Sequence, residues 1–462
     1  MRLTRLVAGF AVAAGLVATP AVAARTSPAS DAVALHDGFG LHIAKVKQVN
    51  PRLLALVVTT KALPRPANIY ILLPPGYTDS TQRYPVFYLL HGTSGTASDW
   101  PLKGDAQKVI GDRPLITVMP DIALDDGGGG WCTDWPDGSQ KWETFHIDEL
   151  IPWIDTNLRT IPARAGRAIA GLSQGGFCSM SYAARHPDLF ATALAYSGAP
   201  DIYYDTRDRI GAMGIINATE VGLDQQAPDT FFGSPATNAI NWAAHDPATL
   251  AENLRWTRMF MYWGNGFPGP YDNGPSSYGG VPIEFLVGND NTDFRARLNS
   301  LHIPAYFDAY GNGTHAWPYW TRDLKQSIDQ IMYQFDHPQP PPAQFTYTSA
   351  DDSYGIYGWQ VITNRTAREF STLTTNGDGG FSLSGSGSAT VVTPPDYQPG
   401  RSYTARLSGD TVATRTATVI ASADHRLRLI VPLGPSNQYQ QETAEAQAAG
   451  TAVYTTTVAV ST

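Results

Sequence analysis

The stretch Arg167-Ala168-Ile169-Ala170-Gly171-Leu172-Ser173-Gln174-Gly175-Gly176-Phe177-Cys178 decides how the rest of the chain is read. Residues 167–172 form a short apolar run of the kind that makes a buried strand, and Phe177–His186 reads as a helix that must stop before Pro187. Between them stands Gly171-x-Ser173-x-Gly175, the pattern of a sharp strand-to-helix turn that lifts a serine hydroxyl clear of the carboxyl end of a strand. Glycines at 171 and 175 permit the turn, Gly176 lets the helix approach the sheet, and the helix N-terminus favours negative charge developing beside Ser173.

Working outward, short apolar and β-branched runs alternate with helix-like spans. The strand candidates are Leu53–Thr60, Asn68–Leu73, Tyr84–His91, Leu115–Pro120, Arg167–Leu172, Phe190–Ser197, Met259–Trp263 and Ile303–Ala309. The first two read as an antiparallel pair, and later ones are separated by spans long enough for crossover helices, such as Thr144–Leu158. Strands that are apolar throughout imply a sheet covered on both faces, an α/β architecture. Residues 25–50 read as a frayed lead-in. Asp201–Asn253 and the Gly/Pro-dense Gly264–Gly280 read as irregular loops of a lid or binding type.

A serine alcohol needs a base. His315, in Gly311-Asn312-Gly313-Thr314-His315-Ala316-Trp317, follows the last strand candidate in a Gly-rich loop, and the order serine then histidine is that of α/β-hydrolases. The acid that orients the imidazole should lie between Trp263 and His315, where Asp272, Glu284, Asp290 and Asp293 are all candidates. An oxyanion hole needs two backbone N–H groups: that of Gln174 is one, and the Gly92–Thr93 turn after Leu89-Leu90-His91 supplies Thr93 as the other. His91 reads as a residue that shapes this turn. Trp100, Trp131, Trp135 and Trp317 fall in loops on the same face, as substrate-binding candidates or as packing residues.

The chain has 462 residues and a formal net charge of −9, with 16% charged residues. An acidic chain without a Lys/Arg run lacks the footprint of a nucleic-acid binder. Residues 1–24 carry Arg2 and Arg5, an apolar stretch from Leu6 and the small-residue pattern Ala21-Val22-Ala23, the layout of a secretory signal peptide. An exported protein, extracellular or held at the cell wall, is therefore expected. Cys132 and Cys178 could close one disulfide or remain thiols.

Residues 25–336 thus read as the catalytic domain. His337-Pro338-Gln339-Pro340-Pro341-Pro342 opens a stiff linker over 337–344, and no lysine occurs beyond Lys325. Residues 345–462 are rich in Thr, Ser, Gly and Val, with short alternating runs at Tyr403–Leu407, Ala413–Ile420, Leu427–Pro432 and Thr451–Val460, which reads as an all-β sandwich. The cluster Asn376-Gly377-Asp378-Gly379-Gly380 reads as a hairpin turn rather than a calcium loop.

The Leu89-Leu90-His91-Gly92-Thr93 strand end, Lys141-Trp142-Glu143-Thr144-Phe145 leading into Glu149-Leu150-Ile151-Pro152-Trp153, the Ser173 turn, Trp263-Gly264-Asn265-Gly266 and the ending Asn312-Gly313-Thr314-His315-Ala316-Trp317-Pro318-Tyr319-Trp320 together resemble the esterase D and antigen 85 family. That group includes S-formylglutathione hydrolases, acetyl- and feruloyl-type esterases and mycolyltransferases. The resemblance covers about residues 50–335 and implies an α/β-hydrolase fold. It implies Glu284, ahead of Phe294, as the acid, with Asp272 as runner-up. The sequence departs from antigen 85 at His91, where that family has an Asp, and at Ser94, where it has the Arg that contacts trehalose. Only Cys132 lies in the loop that holds that family's cysteine pair. The resemblance implies a serine esterase needing no metal or cofactor, acting on a small-molecule, lipid or sugar ester. An acyltransferase acting on a sugar alcohol is the first alternative. A wall-binding protein with a vestigial catalytic domain, contacting polysaccharide through residues 345–462, is the second.

Overall fold

The structure is a computed structural model that describes residues 33–124, 128–272, 274 and 279–462. The expected signal peptide, residues 1–24, lies outside the described residues. Leu35–Thr462 forms one compact unit, and the description that follows is of that unit.

Nine strands build the large sheet: β1 His42–Gln48, β2 Leu53–Thr59, β3 Ala67–Leu72, β4 Val86–Leu90, β5 Ile116–Pro120, β6 Arg167–Leu172, β7 Thr192–Tyr196, β8 Arg258–Trp263 and β9 Tyr306–Ala309. Their spatial order is β1-β2-β3-β5-β4-β6-β7-β8-β9. Strands β1, β2, β3 and β5 pair antiparallel, whereas every pair from β5 through β4 to β9 is parallel. The chain runs from β4 to β5 on one side and then returns to place β6 on the other. The carboxyl ends of β4 and β6 therefore flank a topological switch point, the position where open α/β sheets bind ligands.

The helices are α1 Asp99–Leu102, α2 Ala106–Ile110, α3 Ile151–Asn157, α4 Gln174–Arg185, α5 Thr206–Asn217, α6 Ala239–His245, α7 Val281–Ser300, α8 Trp317–Asp336 and α9 Ala444–Ala449. Alternation along the strands divides the core between the two faces. Phe87 and Leu89 of β4 pack with Trp320, Leu324, Ile328 and Ile331 of α8. These four α8 residues recur at helical spacing and give α8 one apolar stripe. Tyr88 and Leu90 face the other way, toward Leu150, Ile169, Tyr182 and Phe190. α4 ends at Arg185, one residue before the position that Pro187 constrains.

Two expectations need correction. Residues 42–48 form edge strand β1, paired to β2; its residues are mostly exposed, so no apolar alternation marks it. Residues 201–253 are not irregular throughout, because α5 and α6 lie within them.

Beyond α8, residues 337–344 carry no helix or strand. Two antiparallel sheets follow, built from β10 Thr346–Ser349, β11 Ser353–Ile356, β12 Trp359–Asn364, β13 Ser371–Thr375, β14 Phe381–Gly385, β15 Ser388–Val392, β16 Ser402–Gly409, β17 Arg415–Ile420, β18 Arg428–Pro432 and β19 Tyr454–Ser461. One sheet runs β10-β13-β14-β19-β16-β17, the other β11-β12-β15-β18. Inward residues of both, among them Leu373, Leu383, Leu407 and Val458 against Val361, Val391, Leu429 and Val431, make a shared core. The Asn376–Gly380 cluster is the β13–β14 hairpin turn, closed by the Asn376 N–H donating to the Gly380 carbonyl at 3.0 Å.

The sandwich is docked on the α/β layer. The Asn253 side chain pairs with both backbone groups of Thr348, at 2.9 Å each. Tyr357 Oη donates to the Pro187 carbonyl at 3.1 Å. Arg185, at the end of α4, is buried between Glu143 at 2.7 Å and Asp351 of the sandwich at 3.0 Å. Burial alone would lower the Arg185 pKa, but Asp351 and Glu143 hold it above its ordinary value. Burial opposes ionisation of Glu143 as well, yet Arg185 and His186 bring it well below the usual carboxylate range.

Candidate active site

Ser173 follows β6 directly and has φ 52° and ψ −122°, a conformation that a residue with a Cβ adopts only when its surroundings force it. Close packing supplies the force. A Cβ on Gly175 would stand 2.1 Å from the His91 carbonyl oxygen, and one on Gly171 would stand 2.2 Å from that of Gly175. The Ser173 N–H donates to the Tyr196 carbonyl at 2.9 Å, which fixes the turn against the end of β7.

The next residue on β7's side, Ser197, leads to the acid. Its Oγ donates to Glu284 Oε1 at 2.8 Å, and the Gly264 N–H donates to the same oxygen at 2.6 Å. Glu284 Oε2 accepts from His315 Nδ1 at 2.7 Å. Glu284 is fully buried near the start of α7, and the His315 side chain is 7% exposed. With its proton on Nδ1 facing a carboxylate, the ring presents a lone pair at Nε2, which is buried and has no hydrogen-bond partner among the described residues. Trp320 packs edge-on against the ring at 5.0 Å between centroids.

The other three acids are occupied elsewhere. Asp272 accepts from the Thr314 hydroxyl, from Gly269 N–H at 2.7 Å and from Tyr319 Oη at 2.7 Å, and so braces the loop that delivers His315. Asp290 accepts from the Asp201 N–H at 2.8 Å, and Asp293 faces Arg207.

Thr93 sits in the turn after β4, and that turn lies beside the nucleophile: a Cβ on Gly92 would stand 3.1 Å from Ser173 Cβ. Gln174 opens α4, so its N–H is among the helix donors without a carbonyl one turn earlier. Its side chain reaches Thr93 Oγ1 at 3.4 Å. With the amide oxygen turned toward Trp131, it accepts the backbone and ring N–H groups of that residue at 3.0 and 3.2 Å. His91 is buried, with Nδ1 donating to the Gly92 carbonyl at 2.8 Å and Nε2 accepting from the Ile122 N–H at 2.9 Å. Burial holds its pKa down at about 4, so it is a neutral strut of the turn.

Trp100, Trp131 and Trp135 are all buried. The ring N–H groups of Trp100 and Trp135 go to the Leu90 and Gly130 carbonyls, at 2.8 and 3.2 Å. Trp317 is partly exposed and packs edge-on between Trp100 and Trp320. Cys132 and Cys178 are joined as a disulfide, which ties the Trp131 loop to α4. That Ser197 and Gly264 hold Glu284 escaped the sequence reading, although Gly264 lies in the Trp263–Gly266 stretch that carries the resemblance. What signals the role is position, each residue following the carboxyl end of a parallel strand, β7 or β8.

A family profile described as "Putative esterase" matches residues 60–331, more than half of the chain. The chain belongs to this esterase family. The chain is 32% identical over 277 residues to Esterase Rv1288 of Mycobacterium tuberculosis, an alignment covering 58% of this chain and 57% of that one. The chain thus spans little more than half the length of that relative. It is 31% identical over 258 residues to the diacylglycerol acyltransferase/mycolyltransferase Ag85B of Mycobacterium leprae, covering 52% of this chain and 73% of the relative. Among solved structures, Mycobacterium tuberculosis MPT51 superposes with a TM-score of 0.50 at 23% identity, over 63% of this chain and 99% of that one, a likeness of fold. The sandwich lies outside the matched residues. No helix among the described residues is long and apolar enough to cross a membrane.

Proposed function

We propose that this protein cleaves carboxylic esters through an acyl-enzyme on Ser173, with His315 as general base and Glu284 as the acid that orients it. The observation that carries this reading is the 2.7 Å bond from His315 Nδ1 to Glu284, which commits the ring proton and leaves Nε2 as the basic nitrogen at the end of the sheet that bears the strained serine. Ser173 Oγ attacks the acyl carbon as its proton passes to Nε2. The tetrahedral intermediate collapses, the C–O bond to the alcohol breaks, and the alcohol leaves with the proton from Nε2. Water then repeats the sequence and releases the carboxylic acid. The Thr93 and Gln174 N–H groups face the developing oxyanion, helped by the positive end of α4. Glu284 stabilises the imidazolium formed in each step. The scheme uses no cofactor.

Acyl transfer is the second reading, favoured by the relative named an acyltransferase. The same acyl-enzyme would pass its acyl group to a sugar alcohol in place of water. Export is part of the proposal, supported by the Cys132–Cys178 disulfide, which persists in oxidising compartments.

The test treats the full chain with a fluorophosphonate probe and an ester panel, with and without trehalose, beside Ser173→Ala. The wild type is expected to be labelled and to release acid, and Ser173→Ala to lose labelling and at least about 10³-fold in kcat. Acylated trehalose among the products would establish transfer. A folded wild type that is neither labelled nor active would leave a binding protein with a vestigial site.

A further inference from the structure

The three sheets end in the edge strands β1 and β9, β10 and β17, and β11 and β18. An edge strand presents a row of unpaired N–H and C=O groups, and proteins blunt such rows against stray pairing. All but one of these edges are blunted. β1 has a register break between Ile43 and Lys45 and carries Lys45 and Lys47. β9 and β11 are only four residues long. β10 is as short, and Asn253 of the α/β layer takes up the backbone of its Thr348. β18 begins at Arg428 and ends at Pro432.

β17, Arg415–Ile420, has none of these devices. It is six residues long, pairs with β16 without a register break, and holds no lysine or proline. Its one charged residue, Arg415, stands at the first position. Outside the β16 ladder its backbone makes no hydrogen bond among the described residues. The strand is also uncovered on both faces. Tyr403, Ala405 and Leu407 of β16 are buried in the core, and their partners on β17 are Val419, Ala417 and Arg415. Ala417 is exposed all the same, because this sheet has six strands and the sheet packed against it four. On the other face Ile420 is 63% exposed. β17 is thus an overhanging strand with a clean edge and apolar groups on each side, the features that invite a further strand.

We propose that β17 pairs antiparallel with β17 of a second copy of this chain, about a twofold axis through Thr418. In that register Thr418 meets its own copy, Thr416 meets Ile420 and Ala417 meets Val419. Each pair shares a face, the core-side face of one copy continues into that of the other, and no like charges stand opposite. Centring on Ala417 instead would set Arg415 against Val419. Centring between residues would join a core-side face to an outer one. The stretch Thr416–Ile420 bears no charge and so selects a strand that bears none, a condition the same stretch of a second copy meets. Isologous pairing at this edge closes on itself, so assembly stops at two chains. A single short strand pair falls below the about 1,200 Å² that a stable interface buries, so the dimer is weak and reversible.

Sedimentation velocity on the full chain, from about 1 to 500 μM, tests this. A monomer–dimer equilibrium with a Kd of about 10–100 μM is expected. Thr418→Lys and Thr418→Glu each set like charges together at the axis and should weaken dimerisation about tenfold or more, with melting temperatures unchanged because Thr418 is exposed. Mixing the two variants should restore the dimer. Thr416→Lys carries the comparison if either charge at 418 unfolds the chain. A wild type that stays monomeric to about 500 μM would overturn the proposal, as would species larger than a dimer. An undiminished dimer in the charged variants would put the interface elsewhere, and a mixture that stays monomeric would overturn the axis through Thr418.

Discussion

Glu284 accepts three hydrogen bonds, from His315, Ser197 and Gly264, so its carboxylate is held before any substrate arrives. Replacing it with Gln keeps the shape but offers His315 Nδ1 an amide that selects the wrong tautomer. Glu284→Gln should lower kcat about 10³- to 10⁴-fold with little change in KM, as read from initial rates on a soluble ester. Ser197→Ala removes one of the two bonds to Glu284 Oε1 and should cost about 10-fold in kcat, with the melting temperature nearly unchanged. A large loss of stability in that variant would mark Ser197 as a packing residue instead. The turn at Ser173 and the loop that bears His315 were legible from the chain because each announces itself locally, one by glycines that only a tight turn needs, the other by a Gly-rich stretch after a strand. Glu284 was not. Four acids lie in the right interval, and which one meets the imidazole depends on how α7 crosses the end of the sheet, so only the family resemblance pointed to it.

At the scale of elements, the buried strands were readable because both faces of the sheet are covered and their residues are apolar throughout. β1 was hidden by its exposure, and α5 by a sequence that mixes Gly, Arg and Asp into its turns. The disulfide closes 46 residues of chain and joins the Trp131 loop to α4, and whether it forms is something no spacing rule could decide. In the chain-entropy account, a loop of that length is worth about 4 kcal/mol. Cys132→Ser/Cys178→Ser should therefore melt many degrees lower, and should raise KM because the loop that meets Gln174 is freed; calorimetry and ester kinetics check the two effects separately. Two histidines set an acid limit. His91 after β4 and His146 before α3 are buried, and burial holds both near pKa 4 against about 6.5 in the unfolded chain. A depressed folded-state value means their contribution is intact above about pH 6.5 and is lost as pH falls through 4, by at most about 1.4 kcal/mol per pH unit for each. Denaturant melts over that window should show the slope, and His146→Gln should flatten it.

For the whole molecule, the linker composition suggested two separate bodies, yet the sandwich is fastened to the layer that carries the nucleophile. Linker residues report stiffness but not what the flanking surfaces do to each other, which is why the docking was illegible. Asp351→Ala would leave Arg185 buried with one counter-charge fewer, and removing one partner from a buried pair costs about 3–5 kcal/mol. Urea melts of the full chain should register that loss, whereas Asp424→Ala, which breaks an exposed pair with Arg428 in the sandwich, should barely move the midpoint. The same contact constrains how such a protein can be recombined. A chimaera cut at the prolines after residue 337 would inherit Arg185 without Asp351 and Asn253 without the backbone of Thr348. The tail cannot be exchanged as a free cassette: a workable graft carries its own matching helix end, or rewrites the host's.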